Sequence, residues 1–316
     1  MSINEKYINV FSDITSRAAI ATIPFIGKKN KKAADKAAVD KMRNDLNKID
    51  MNGKIVIGEG ELDKAPMLYI GEKLGNSSGP DFDIAVDPLE GTNFAANNLP
   101  GALSVIAIAE KNNLFNAPET YMNKIAINSN QKGIVDIDFS TKKNIENLSD
   151  FLNKDKENIT ACILDRPRHR KIIDELKNLK VKIKLITDGD VSGALLVSDK
   201  KYNIDIFLGI GGGPEGVLAA SALDSFGCYF QGRFIFDNND SISRAKLMGI
   251  SDFNKKYELE DIIKGDSIFC ATGITTGDLV SGVKKKGNKY ITETLITHKS
   301  TKLNKILIKE DTIKLD

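Results

Sequence analysis

Histidine, cysteine and long apolar runs are all scarce in this 316-residue chain. The two histidines, His169 and His298, stand in no recognisable constellation with an acid or a cysteine, so the sequence offers no histidine nucleophile. Cys162, Cys228 and Cys270 lie far apart in apolar, strand-like runs, the pattern of buried thiols in a reducing compartment and not of a disulfide framework. No apolar stretch reaches the ~20 residues of a membrane-spanning helix, and the opening from Met1 to Gly27 mixes charges into a helical period, unlike a signal peptide. The expected location is therefore the cytoplasm, with no membrane partner. Charge of one sign is missing too: 45 Lys and Arg against 43 Asp and Glu leave a net charge of +2. That is too little for a nucleic-acid field over the whole surface, so no nucleic-acid partner is expected and any basic site must be local. There are no repeats, heptads or low-complexity linkers.

A chain of this length with 41% hydrophobic residues can fill two lobes. Helical spacing runs from Asn4 to Ile23 and again from Ala33 to Ile49. "KIVIGEGELD" is β-rich and breaks into glycines and acids, "APMLYIGEKLG" reads as a short helix closed by Gly75, and "DIAVDP" and "ALSVIAIAEK" read as strands. "GIVDIDFS" is a further strand-like segment, which makes residues 1–157 an α+β lobe. From Asn158 the order becomes strand, helix, strand, helix: "ITACILD", "RHRKIIDELKNL", "VKIKLITDGD", "VSGALLVS". With "NIDIFLGI", the loop "GGGPEG" and the helix "VLAASALDSF", residues 158–316 read as an α/β lobe with ligand groups at the carboxyl ends of its strands. The expected fold class is α/β. The lobe to which "DSIFCATGITTGDLVSGV" returns is open at this level.

Three strand ends carry acids. Asp87 closes an apolar strand before Pro88, Glu90 follows three residues on, and Gly91-Thr92 opens a turn; Glu59, Glu61 and Asp63 follow a second strand, and Glu215 a third. An isolated D-x-x-E is more often a capped helix after a strand than a metal loop. Repetition shifts the balance, because carboxylates gathered in one place repel unless cations bridge them, and hard divalent cations take oxygen ligands. "GIGGGPEG" lacks the G-x-G-x-x-G spacing of a dinucleotide loop. Its glycines suit close backbone approach to a sugar or phosphate, with Pro214 opening a helix. "RPRHR" makes a basic helix start suited to phosphate.

Together "VIGEGELDKAPMLYIGEKLG", "DIAVDPLEGT" and "GIGGGPEGV" resemble the class II fructose-1,6-bisphosphatases, within the lithium-sensitive sugar and inositol phosphatase superfamily, over nearly the whole chain. The resemblance implies the layered αβαβα architecture of sugar phosphatases and Mn²⁺- or Mg²⁺-dependent hydrolysis of the 1-phosphate of fructose 1,6-bisphosphate, a gluconeogenic step. The alternatives are a bifunctional enzyme that also takes sedoheptulose 1,7-bisphosphate, or a non-catalytic sugar-phosphate sensor on the same scaffold. Carried over residue by residue, it implies Asp35 and Glu59 on one metal and Asp87, Glu90 and Glu215 on another. Substrate would meet Glu90, Gly91, Thr92, Tyr121, Arg166, Pro167, Arg168, Asp188, Gly189, Asp190 and Gly212. Thr92 would orient the attacking water, with Glu61 and Asp63 as bases behind the ligands. A homo-oligomer, dimer or tetramer, is implied on the same footing. The chain departs from the family at Lys36, where a glycine usually follows the aspartate, at Asn30 in the approach to it, and at Arg170, where an acid often follows "PRH".

Overall fold

The apolar face Tyr7, Phe11, Ile14 and Ala18 closes into helix α1 (Lys6–Thr22) in the computed structural model, which describes residues 2–60 and 67–312. Helix α2 (Lys31–Leu46) starts where the Asn30 side chain accepts the Ala33 N–H at 3.1 Å, an N-cap that satisfies one of the first-turn donors. Then come β1 (Asn52–Ile57), β2 (Lys73–Leu74), β3 (Asp81–Glu90), α3 (Thr92–Asn97) and β4 (Leu103–Glu110). The next stretch holds β5 (Tyr121–Ile127), α4 (Thr141–Leu152), β6 (Thr160–Leu164), α5 (Arg170–Asn178), β7 (Lys182–Ile186) and α6 (Asp190–Leu195). It continues with β8 (Ile206–Gly212), α7 (Gly213–Phe226), β9 (Tyr229–Ile235), α8 (Asn239–Leu247), β10 (Tyr257–Glu258) and α9 (Leu259–Ile262). The chain ends with β11 (Ser267–Gly273), β12 (Lys284–Lys286), β13 (Lys289–His298) and β14 (Leu303–Asp311).

These elements form two compact units, one running through Asn116 and resuming at Ile263, the other from Ala117 to Ile262. The first is an eight-stranded mixed sheet in the order β12-β13-β11-β4-β3-β1-β2, with β14 added to β13. Helices α1 and α2 pack on it, and Phe11, Ile14, Met42 and Leu46 meet Ile55, Ile84, Ile106 and Ile268 in its core. A line of buried hydroxyls fixes α1 against the sheet: Thr272 Oγ1 donates to Thr15 Oγ1 at 2.8 Å and lies 2.7 Å from Thr294 Oγ1, while Ser16 lies 3.0 Å from Thr292. The second unit is a six-stranded sheet, β10-β9-β5-β8-β6-β7, in which β6 is parallel to both β7 and β8, and β5 is antiparallel to β8 and β9.

Several expectations change. The compact units divide at 116/117 and 262/263 and not at 157/158, because β5 pairs with β8 and β9, and β11 pairs with β4 from Ser267↔Ala109 to Gly273↔Leu103. That pairing also settles where the C-terminal segment goes, which is back into the first sheet. The described part of "APMLYIGEKLG" is turn followed by β2, not helix: Leu68, Gly71 and Gly75 hold positive φ, which right-handed helix forbids. "GIVDIDFS" is a turn-rich loop whose backbone bonds go to a side chain, the Asp136 N–H to Asn144 Oδ1 at 2.9 Å and the Asn144 amide back to the Asp136 carbonyl at 3.0 Å. Pro88 does not end β3. The strand runs on to Glu90 through a register shift.

Asp266, 5% exposed, ties the beginning of the first unit to its end. Its carboxylate accepts the N–H groups of Ile3 at 2.7 Å, Ser267 at 2.9 Å and Ser300 at 2.8 Å, and meets His298 Nε2 at 3.0 Å. Burial would raise its pKa, but these donors outweigh burial and hold it below the ordinary carboxylate value. A depressed carboxylate stabilises above its unfolded pKa and loses that contribution as pH falls through its folded one. Asp266→Ala is expected to cost about 2–4 kcal/mol in urea unfolding at neutral pH, with the carboxylate's share fading below about pH 4. An unchanged midpoint at pH 7 would contradict the assignment.

Candidate active site

In the first unit the acids emerge from neighbouring parallel strands. Ile57 of β1 pairs with Ala85 of β3, so Glu59 and Asp87 each stand two residues beyond one registered pair, Glu59 past the end of β1 and Asp87 still within β3. Gly58 permits this: a Cβ there would stand 2.0 Å from the Leu68 carbonyl, and the Glu59 N–H donates to that oxygen at 3.0 Å. Glu61 and Asp63 lie outside the described residues. On β3, Asp87 faces Val105 and Glu90 faces Leu103, so a bulge at Pro88-Leu89 gives β3 one residue more than β4. Glu90 is buried and Asp87 half-buried. Gly91, at φ +77°, turns the chain into α3, and Thr92 is its first residue. Asp35 sits half-buried on α2, which packs against α3 and β3, and burial raises its carboxyl above the usual range. The unusual "GKKN" approach docks on α3, with Gly27 N–H to Ala95 O at 2.9 Å and Lys29 N–H to Ala96 O at 2.8 Å.

In the second unit the loops after β6, β7 and β8 emerge at the carboxyl ends of parallel strands, where open α/β sheets bind ligands. The first opens with Arg166 and the 3₁₀ turn Pro167–His169. Arg168 donates Nε and Nη2 to the Ile210 carbonyl at 2.9 and 2.8 Å and lies 4.7 Å over the ring of Tyr121, itself 48% exposed and registered opposite Gly212. Arg166 reaches Asp188 at 3.7 Å. Gly189, at φ +82°, caps α6, which Asp190 begins. The glycines of β8 are spacers: a Cβ on Gly211 would stand 2.0 Å from an Asp190 oxygen, and one on Gly212 would stand 1.8 Å from a Glu215 oxygen. Glu215 lies in the first turn of α7. Desolvation raises its pKa, with Lys124 opposing and Asp190 and Asp188 adding to the rise.

Two features escape the sequence patterns. His169 is fully buried: its Nδ1–H donates to Leu164 O at 2.7 Å and its Nε2 accepts the Ile210 N–H at 2.7 Å, so the ring clamps the arginine loop to β8 and has no free nitrogen for phosphate. Lys124, 1% exposed, pairs with Asp190. The signal for it was a lone cation in the otherwise uncharged run "YMNKIAI". Among the described residues no three carboxylate, histidine or cysteine side chains gather closely enough to hold an ion. The acids fall into separate sets, Asp35, Glu59, Asp87 and Glu90 in the first unit and Glu215 in the second.

Acids at parallel strand ends and a glycine turn into a short helix in the first unit, and an arginine loop in the second, are residue types suited to phosphate and to hard oxygen-ligated cations. Comparison with known proteins narrows this. Residues 6–310 match the family described as bacterial fructose-1,6-bisphosphatase, glpX-encoded. The class 2 fructose-1,6-bisphosphatase of Haemophilus influenzae is 42% identical over 311 residues, covering 94% of this chain and 93% of its own. A protein of Prochlorococcus marinus (strain AS9601) named D-fructose 1,6-bisphosphatase class 2/sedoheptulose 1,7-bisphosphatase is 41% identical over 307 residues, covering 93% and 92%. Among solved structures, the inositol monophosphatase of Anabaena (Nostoc) sp. PCC 7120 aligns with a TM-score of 0.33 at 13% identity, over 61% of this chain and 71% of that one. The chain belongs to the bacterial class 2 fructose-1,6-bisphosphatase family of phosphoric monoester hydrolases.

Burial lowers the pKa of His169, and its Nε2 accepts the Ile210 N–H, so folding favours the neutral ring. The sign follows: stability is complete above the unfolded histidine pKa and falls as pH drops below about 6.5. Urea unfolding of His169→Gln is expected to show a shallower loss of stability than the parent between about pH 6.5 and pH 5. Parallel curves would mean that the imidazole does not titrate with folding.

Proposed function

We propose that the chain hydrolyses the 1-phosphate of fructose 1,6-bisphosphate, giving fructose 6-phosphate and inorganic phosphate. The observation that carries this reading is the set of carboxylates at the ends of β1 and β3, Glu59 after the first and Asp87 and Glu90 on the family's "DPLEGT" stretch, in a chain that matches that family from residue 6 to 310. Activity on sedoheptulose 1,7-bisphosphate is a second reading, favoured by relatives of nearly equal identity whose names include it. No helix among the described residues is long and apolar enough to cross a membrane. We place the enzyme in the cytoplasm, as a homo-oligomer of two or four copies.

Mn²⁺ or Mg²⁺ fits the donors present, which are all carboxylates, and fits the raised pKa values of Asp35 and Glu215, since burying these anions without a cation is costly. In this reading, carried over from the family resemblance, the ligands are Asp35, Glu59, Asp87 and Glu90 of the first unit and Glu215 of the second. Bound there, the ions would neutralise the phosphoryl oxygens and favour ionisation of water. The chain's own groups do the rest. Water adds to phosphorus in line with the departing sugar oxygen, the phosphorus–oxygen bond breaks, and that oxygen takes a proton from solvent. The Thr92 hydroxyl orients the water, Glu61 and Asp63 receive its proton, and the Gly91-Thr92 backbone lies against the phosphate. Arg166, Arg168 and Tyr121, with Pro167 shaping their loop, hold the phosphate that stays, a role suited to guanidinium forks. Asp188, Gly189, Asp190 and Gly212 meet the sugar.

Uncatalysed phosphate ester hydrolysis leaves a barrier that an enzyme must lower by more than about 20 kcal/mol, while a single proton-transfer group supplies only ~10²–10⁴-fold. Protein stripped of metal is therefore expected to release no phosphate from fructose 1,6-bisphosphate until Mn²⁺ or Mg²⁺ is restored. No release under either condition would overturn the reading. Thr92→Ala is expected to lower kcat by about 10²-fold with metal affinity unchanged. Full turnover in that variant would remove the hydroxyl from the mechanism.

A further inference from the structure

Lys124 carries no role in the mechanism above, and its surroundings give it one. It lies in the middle of β5, and at 1% exposure it is among the largest fully buried side chains of the protein. Its stem runs beside Gly216 of α7, where a Cβ would crowd the Lys124 Cδ at 3.3 Å. Its ammonium pairs with Asp190 Oδ2 and donates to the Gly212 carbonyl at 2.6 Å. One buried cation thus joins the loop after β7 to the end of β8. Asp190 Oδ1 is buried with no hydrogen-bond partner among the described residues. Asp190 is therefore half satisfied: one oxygen is fixed by the lysine, and the other is a buried acceptor with capacity to spare.

Burying an ammonium costs desolvation that a pair recovers only with good geometry, and a packed apolar side chain serves stability as well. What the pair adds is position. We infer that Lys124 is a positioning residue for the sugar: it holds Asp190 so that Oδ1 accepts a substrate hydroxyl, and it locks the Asp188–Asp190 loop to the Gly212 end of β8. The inference rests on the proposed fructose-bisphosphatase reading, in which these residues meet the sugar. Gly211 belongs to the same device, because any side chain there would occupy the space of the Asp190 carboxylate.

The test is Lys124→Met in the full-length, metal-loaded enzyme, with calorimetric binding of fructose 6-phosphate beside steady-state kinetics. A lost positioning contact removes binding common to ground and transition states, so KM should rise about tenfold or more and fructose 6-phosphate affinity fall in parallel, with kcat within about threefold. A fall in kcat at unchanged KM, the mark of a smaller folded fraction, would overturn the inference. Should the single variant not fold, the pair Lys124→Met with Asp190→Asn leaves no unpaired charge. Its KM should match that of Asp190→Asn alone within about twofold, because the two side chains act as one unit, and an additive rise would overturn the inference. If the parent enzyme turns over no fructose 1,6-bisphosphate, the proposed function falls. The binding comparison then still decides the role of Lys124: equal affinity for fructose 6-phosphate in parent and variant overturns it.

Discussion

Carboxylates at the ends of parallel strands are the constraint around which both units are arranged. Parallel strands deliver their carboxyl ends to one edge of a sheet, and each acid placed there must give up water and tolerate its neighbours. The first unit carries Glu59, Asp87 and Glu90 on two such strands, and Asp35 from a helix packed over them. The second carries Asp188 and Asp190 after β7 and Glu215 after β8, and offsets them with Lys124 inside and Arg166 at the rim. Glycine supplies the room. At 58, 211 and 212 a Cβ would collide with a backbone carbonyl or with the carboxylates themselves. The glycine-rich appearance of "VIGEGE" and "GIGGGPEG" thus has a steric cause that differs from that of a nucleotide loop.

How far the sequence could be read depended on the range of the interactions that decide each segment. β3, β4, β6 and β8 were visible because apolar runs bounded by turns are local signals, and α1 and α2 because their periodicity spans several turns. The segment after Pro66 misled because its apolar spacing is helical while Leu68, Gly71 and Gly75 take left-handed φ to close a hairpin on β1. "GIVDIDFS" misled for the opposite reason: its alternation suits a strand, but Asp136 and Asn144 satisfy the backbone first. The destination of the C-terminal segment could not be read locally, since β11 finds its partner in β4, more than 150 residues earlier.

The candidate site divides in the same way. Its acids and arginines were legible as residue types at strand ends, and the family resemblance supplied their roles. The groups that hold them were not. His169 and Lys124 act through contacts 41 and 66 residues away in sequence, with Ile210 and Asp190 respectively. Nothing in "PRH" distinguishes a clamped imidazole from a phosphate ligand. Only the two hydrogen bonds that occupy both ring nitrogens do so.

The spacing of the "DPLEGT" loop shows how strand geometry can turn a sequence interval into a site. Successive side chains on a strand alternate faces, so residues three apart, such as Asp87 and Glu90, would normally point to opposite sides of the sheet. Here they pair with Val105 and Leu103, which are two apart on β4 and share a face. The extra residue at Pro88-Leu89 absorbs the difference, and proline suits it because it has no N–H to lose from the ladder. The bulge thereby returns both carboxylates to one side, and Gly91 turns the chain at once into α3, which Thr92 begins. A regular strand with the same acids would split the pair, and an acid two residues after Asp87 without a bulge would lack the turn. The interval of three is thus a consequence of the bulge, and the proline that reads as a strand terminator is part of what allows the strand to continue.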